Sequence, residues 1–229
     1  MAGRQRAFLR LSGCNLACRW CDTAYTWNWE GLPHAHERDA PGRPHQFDPA
    51  EEVLGLSIAE AARRVLAFRA EGLVVTGGEP LLQQPGLEAL FAALDAARPG
   101  LLLECETNGT LAARPALAAR MDLVVVSPKL SHSGNAPGTA LNDASLAGFA
   151  AMEKAVFKWV AASPADVAEA AALARRCNIP AGRMYVMPKG VASAELHANG
   201  RAIRDAVLGH GFHFTDRLHI HLFGDARST

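Results

Sequence analysis

No apolar stretch in this sequence is long. The longest uninterrupted run is Ala89 to Leu94, far short of the roughly 20 residues that a membrane-spanning helix needs. Excess charge is missing too: Lys plus Arg and Asp plus Glu both number 23, a formal net charge of zero, which gives no global argument for a nucleic-acid or membrane partner. No basic segment followed by an apolar one opens the chain at Met1, so nothing suggests export, and the cytoplasm is the expected compartment. Lysines are scarce, only Lys129, Lys154, Lys158 and Lys189. Low-complexity disorder is disfavoured, because 49% of the 229 residues are hydrophobic, enough to bury a core. On length, that core belongs to one domain over residues 1–229.

Cysteines are few, five in all, and an odd count argues against a secreted disulfide framework. Three of them crowd together as Cys14-Asn-Leu-Ala-Cys18-Arg-Trp-Cys21. Thiolates this close converge on a metal more readily than they pair into disulfides. A structural zinc site wants four closed ligands, and His34 or His36 could supply the fourth. Iron–sulfur clusters are also held by thiolates, usually four. Three would leave one iron open for chemistry, and the spacing favours this over zinc without excluding it. Cys105 and Cys177 fall in an apolar strand and a helix and read as packing residues.

Strands and helices alternate. Strands are expected at Arg6–Leu11, Gly72–Thr76, Leu101–Glu106, Leu123–Val126, Lys154–Ala161, Met184–Met187 and Leu218–Phe223. Helices are expected from the Ser57-Ile-Ala-Glu60 capping box to about Ala70, and over Gly86–Ala97, Ala112–Ala119, Ser163–Arg176 and Ala192–Leu208. Such alternation argues for a parallel sheet covered by helices, an α/β fold. Residues 24–50 read as a long loop of the kind that covers a site, with His34, His36 and His45 as solvated residues of it. The unusual clusters all follow strand ends: the cysteines, Gly77-Gly78-Glu79-Pro80, Glu106-Thr-Asn-Gly, Ser127-Pro-Lys and Met187-Pro188. In α/β barrels and open sheets that rim carries the site. Glu79 there either fixes the turn or meets a ligand's ammonium. Lys158, inside an apolar strand, is expected to have a carboxylate partner.

The cysteine loop after a first strand, with Gly-Gly-Glu-Pro after the next, resembles the radical S-adenosylmethionine superfamily. That resemblance implies a partial (β/α)6-type barrel, with Cys14, Cys18 and Cys21 holding a 4Fe–4S cluster whose free iron binds S-adenosylmethionine. A narrower resemblance covers nearly the whole chain. Leu-Ser-Gly-Cys14-Asn-Leu, Cys18-Arg-Trp-Cys21-Asp-Thr23, Tyr25-Thr-Trp27, Thr76-Gly-Gly-Glu, Glu106-Thr-Asn-Gly-Thr, Ser127-Pro-Lys and Arg217-Leu-His219 are similar to the 7-carboxy-7-deazaguanine synthase family. This implies a lyase converting 6-carboxy-5,6,7,8-tetrahydropterin to 7-carboxy-7-deazaguanine with loss of ammonia, in queuosine and 7-deazapurine biosynthesis.

By the same resemblance Thr23 ligates Mg²⁺, and Trp20, Cys21, Asp22, Gly78, Ser127, Pro128, Lys129, Met187, Pro188, Lys189 and Gly190 bind the cofactor. Arg10, Thr76 and His219 bind substrate. No protein residue is assigned to the radical chemistry itself, which the cofactor carries. A homodimer and an electron donor such as flavodoxin or ferredoxin are implied as partners. Family members also have a first strand with a Gln-Gly-Glu segment ahead of the stretch matching Gly3-Arg4, and this sequence lacks it. The rival readings are a radical activase that makes a glycyl radical on a partner protein, and a zinc-stabilised binding protein without turnover.

Overall fold

The computed structural model describes residues 4–227; Gly3, where the family's additional strand would join, lies outside them. Among the described residues seven parallel strands form one open sheet in chain order: β1 (Ala7–Leu11), β2 (Gly72–Gly77), β3 (Leu102–Thr107), β4 (Leu123–Val126), β5 (Ala155–Ala161), β6 (Met184–Pro188) and β7 (His213–Phe214). Between them run α1 (Pro49–Glu52), α2 (Ile58–Ala67), α3 (Gln84–Ala97), α4 (Pro115–Arg120), α5 (Pro137–Ala140), α6 (Asp143–Ala150), α7 (Pro164–Arg176) and α8 (Ser193–Gly209), and α9 (Leu218–Phe223) follows the last strand. This is the α/β partial barrel that the sequence led us to expect.

Alternation along the strands sorts their side chains onto two faces. Leu73, Val75, Leu103, Cys105, Val124, Val126, Phe157 and Trp159 point toward the helices and form the core with Leu90, Phe91, Leu94, Phe149 and Val207. The register puts Arg10 beside Thr76, and Glu106 beside Val125, on the opposite face. At the foot of that face the Arg6 side chain passes over Gly72, where a Cβ would sit 3.1 Å from its Cδ, to reach Glu104 at 2.6 Å. Both members of this ion pair are almost fully buried, with side chains 4% and 7% exposed.

Local chemistry explains the helix starts. Ser163 and Asp166 form a reciprocal capping box behind Pro164. At Ser57 only half of the expected box forms. The hydroxyl accepts from Glu60 N, while the Glu60 carboxylate turns to Arg63 and Arg64.

One expected strand is corrected. Leu218–Phe223 is a helix, not a strand. Its Leu-His-Ile-His-Leu-Phe alternation mimics period two, yet only Ile220 is buried, and Leu218, Leu222 and Phe223 are 50%, 62% and 57% exposed. The last strand is instead the two-residue β7. The 24–50 segment has order of its own: bridges join Trp29 to Phe47 and Ala40 to Arg43, and the Arg227 guanidinium sits 3.9 Å over the Tyr25 ring.

Candidate active site

Residues 12–23 leave the end of β1 and lie against the turn after β2. Gly78 N donates to Leu11 O at 2.9 Å and Glu79 N to Gly13 O at 2.8 Å. A Cβ on Gly78 would stand 2.0 Å from Gly13 O, and one on Gly77 would stand 2.2 Å from Leu11 O at a φ of +155°. The glycine pair is therefore required by contact between two backbones. Glu79 is the post beneath this contact. It is 0% exposed and accepts from Leu81 N at 2.9 Å, Thr107 Oγ1 at 2.8 Å and Asn108 N at 2.7 Å. Burial pushes its carboxyl above the ordinary value. Of its two expected roles, the structure shows the one that fixes the turn.

The three cysteines are free thiols. Each sulfur accepts one N–H: Cys14 from Leu16 N at 3.5 Å, Cys18 from Asn135 Nδ2 at 3.1 Å and Cys21 from Trp27 Nε1 at 3.3 Å. Burial pushes the Cys14 thiol up to about 12 and raises that of Cys18. Both ring nitrogens of His36, one of the two candidate fourth ligands for zinc, are already engaged within the chain. A donor set of thiols alone, each already holding an N–H donor, suits a cluster. His36 is not the solvated residue expected. It is 5% exposed, lies 2.9 Å from Cys21 O through Nε2 and accepts from Arg38 N at Nδ1. This pattern makes Nε2 the protonated nitrogen.

The rim after β4 closes over the same loop. Lys129 Nζ donates to Ser127 O and Oγ at 2.8 and 3.1 Å and lies 5.8 Å from the centre of the Trp20 ring. Trp20 also stacks on His132 at 5.4 Å. Its Nε1 is buried without a partner among the described residues, a donor available to a bound group. Asp22 is gripped by Arg217, which also donates to Gly190 O at 2.9 Å. Burial alone would raise the Asp22 carboxyl, but Arg217 and Arg10 bring it below its ordinary value. Lys189, beyond β6, pairs with Glu37 at 2.5 Å.

On the concave face Lys158 finds its carboxylate: Nζ lies 3.0 Å from Glu106 Oε1, and Thr76 Oγ1 donates to Glu106 Oε2 at 3.3 Å. The Lys158 charge holds the Glu106 carboxyl below its ordinary value. Arg10 is exposed on the same side, and its charge reaches both Asp22 and Glu106. His219, on α9 and not on a strand, is held below its ordinary value by burial and by Arg217. Thr23 stands at the start of a 3-10 turn, yet its hydroxyl makes no capping bond and faces the Cys21 sulfur at 3.6 Å.

Thus Trp20, Asp22, Ser127, Lys129, Gly190 and Thr76 are gathered at one rim. Met187 and Pro188 belong to β6 itself, Met187 paired with Val160 and Pro188 with Ala161. Asn135 and Glu106 were not foreseen individually. Only Glu106's place in the Glu-Thr-Asn-Gly cluster marked it, and Asn135 carries no local signal.

The radical SAM superfamily profile matches residues 9–196. A 7-carboxy-7-deazaguanine synthase of Pyrobaculum aerophilum is 36% identical over 98% of this chain and 89% of its own length. Enzymes of the same name match from Hyperthermus butylicus, at 32% over 95% of this chain and 84% of theirs, and Halobacterium salinarum, at 31% over 100% and 87%. Among solved structures an enolase from Pseudomonas fluorescens overlaps at a TM-score of 0.40 and 15% identity, over 79% of this chain and 39% of that one, a likeness too weak to carry an argument. The fold and the cysteine rim define a radical SAM enzyme, which implies a 4Fe–4S cluster and S-adenosylmethionine. Within that superfamily the chain belongs to the 7-carboxy-7-deazaguanine synthase family.

Proposed function

We propose that this chain converts 6-carboxy-5,6,7,8-tetrahydropterin to 7-carboxy-7-deazaguanine with loss of ammonia, toward queuosine and other 7-deazapurines. The observation that carries it is the Lys158–Glu106–Thr76 group on the face that Arg10 shares. A pterin offers amide and amine N–H groups that a carboxylate accepts, and a carboxylate that a guanidinium pairs with in bidentate fashion.

Cys14, Cys18 and Cys21 would hold the cluster, which with S-adenosylmethionine would supply the one-electron radical chemistry. The protein's task is position and charge. Glu106, fixed by Lys158 and Thr76, orients the heterocycle. Arg10 fixes the acid end, and His219 offers a ring nitrogen for a hydrogen bond from α9. Trp20, Ser127, Lys129 and the 187–190 segment hold the cofactor. The uncapped Thr23 hydroxyl contributes to Mg²⁺. It is a weak ligand for a hard cation, so substrate oxygens and water complete the shell. The reading includes a homodimer in the cytoplasm, with an electron from a flavodoxin or ferredoxin. Among the described residues no helix is long and apolar enough to cross a membrane.

The test is anaerobic turnover of the reconstituted chain with reductant, Mg²⁺, S-adenosylmethionine and the pterin, followed by mass spectrometry. Formation of 7-carboxy-7-deazaguanine is expected. Cleavage of S-adenosylmethionine without that product would sink the substrate assignment and leave the superfamily intact.

A further inference from the structure

Asn135 sits 117 residues from Cys18 in the chain and is part of no motif, yet the cysteine loop is built onto it. Its Oδ1 accepts from Ala17 N at 2.8 Å, and its Nδ2 donates to the Cys18 sulfur at 3.1 Å. The loop carrying it is fixed from both sides, with Arg19 N donating to Ser133 O at 2.9 Å and His132 stacked on Trp20. At Gly134 φ is +81°, and a Cβ would stand 2.5 Å from the Arg19 side chain. Trp27 serves the Cys21 sulfur in the same way. Its ring is 6% exposed and its Nε1–H points at the sulfur from 3.3 Å. Among the described residues the Cys14 sulfur has only a backbone donor, at 3.5 Å.

An N–H directed at a thiolate draws electron density from the sulfur, so it favours the reduced, more negative state of an iron–sulfur cluster over the oxidised one. We propose that Asn135 and Trp27 are positioning residues that set the reduction potential of the cluster through the Cys18 and Cys21 sulfurs. The two bonds raise the potential and make the one-electron reduction easier. The proposal rests on the superfamily's cluster and is independent of the substrate.

The experiment is a potentiometric titration of the reconstituted holoprotein without S-adenosylmethionine. Dithionite supplies the electron, and the reduced cluster is counted by electron paramagnetic resonance. In Asn135→Ala and Trp27→Phe the one-electron equilibrium should shift roughly tenfold toward the oxidised cluster, a fall of about 59 mV, at wild-type iron content. Asn15→Ala is the control. It removes a tie between the cysteine loop and the Asn108 turn without touching a sulfur, and the potential should stay where it is. If Trp27→Phe loads a full cluster at the wild-type potential, the proposal fails. It also fails if Asn15→Ala lowers the potential as much, because loosening of the loop would then explain everything. Should Asn135→Ala fail to load iron, Trp27→Phe alone decides.

Discussion

Replacing Glu79 by glutamine keeps the side chain's size but sets an NH₂ against backbone and hydroxyl donors that now meet a carboxylate. With one oxygen left for three donors, at least one buried N–H or O–H loses its partner. Glu79→Gln should cost about 2–4 kcal/mol, read from urea denaturation of the unloaded chain, and an unchanged midpoint would contradict the role of post. The Lys158–Glu106 pair predicts a pH effect. Because Lys158 holds the folded Glu106 carboxyl below 4.5, the pair's stabilisation is complete above that value and is lost as pH falls through the lower folded value. Thermal melts should show a shallower acid limb for Glu106→Gln than for the wild type; parallel limbs would refute this. The need for a carboxylate beside Lys158 was legible from its apolar neighbours. Which carboxylate was not, because the partner lies 52 residues away and is set by the registers of three strands.

At the scale of elements, most strands and the long helices were legible because apolar runs and capping residues mark them locally. Helix α6 was not. Gly148 lies inside it, which weakens any helical signal, and its evidence is in packing: Leu146 and Phe149 enter the core behind the Asn142 cap. Nor was α9, whose alternation imitates a strand. The cysteine loop was visible as a metal site from spacing alone, but its supports from Asn135 and His36 depend on how the β4 and 24–50 segments fold back. The backbone contact at Gly78 also makes a prediction about elements. Gly78→Ala pushes the β2 turn off the cysteine loop without disturbing the helix-facing core. Iron uptake should fall at least tenfold, while circular dichroism stays near wild type. Normal loading would show that the two backbones can separate at little cost.

For the whole molecule, the cysteine loop anchors the 24–50 segment. Cys21 O meets His36, Arg19 O meets Glu37 N at 2.7 Å, and Glu37 in turn reaches Lys189. A ligand that binds only the folded state at a hundred times its dissociation constant adds about 2.7 kcal/mol, and an assembled cluster acts in this sense. Removing it should lower the melting temperature and speed proteolysis within residues 30–46, with the sheet core resistant. Cleavage at the same rate with and without cluster would disprove the coupling.

The strand order carries one more consequence. Each strand lies beside the one made just before it, so a nascent chain can add them in sequence as it leaves the ribosome. The contact of Asp22 with Arg217 spans 195 residues and cannot form until residue 217 has been made. The rim is therefore completed only after all seven strands have been made, and a chain cut short of residue 217 lacks the contact that ties the loop after β1 to the segment after β7.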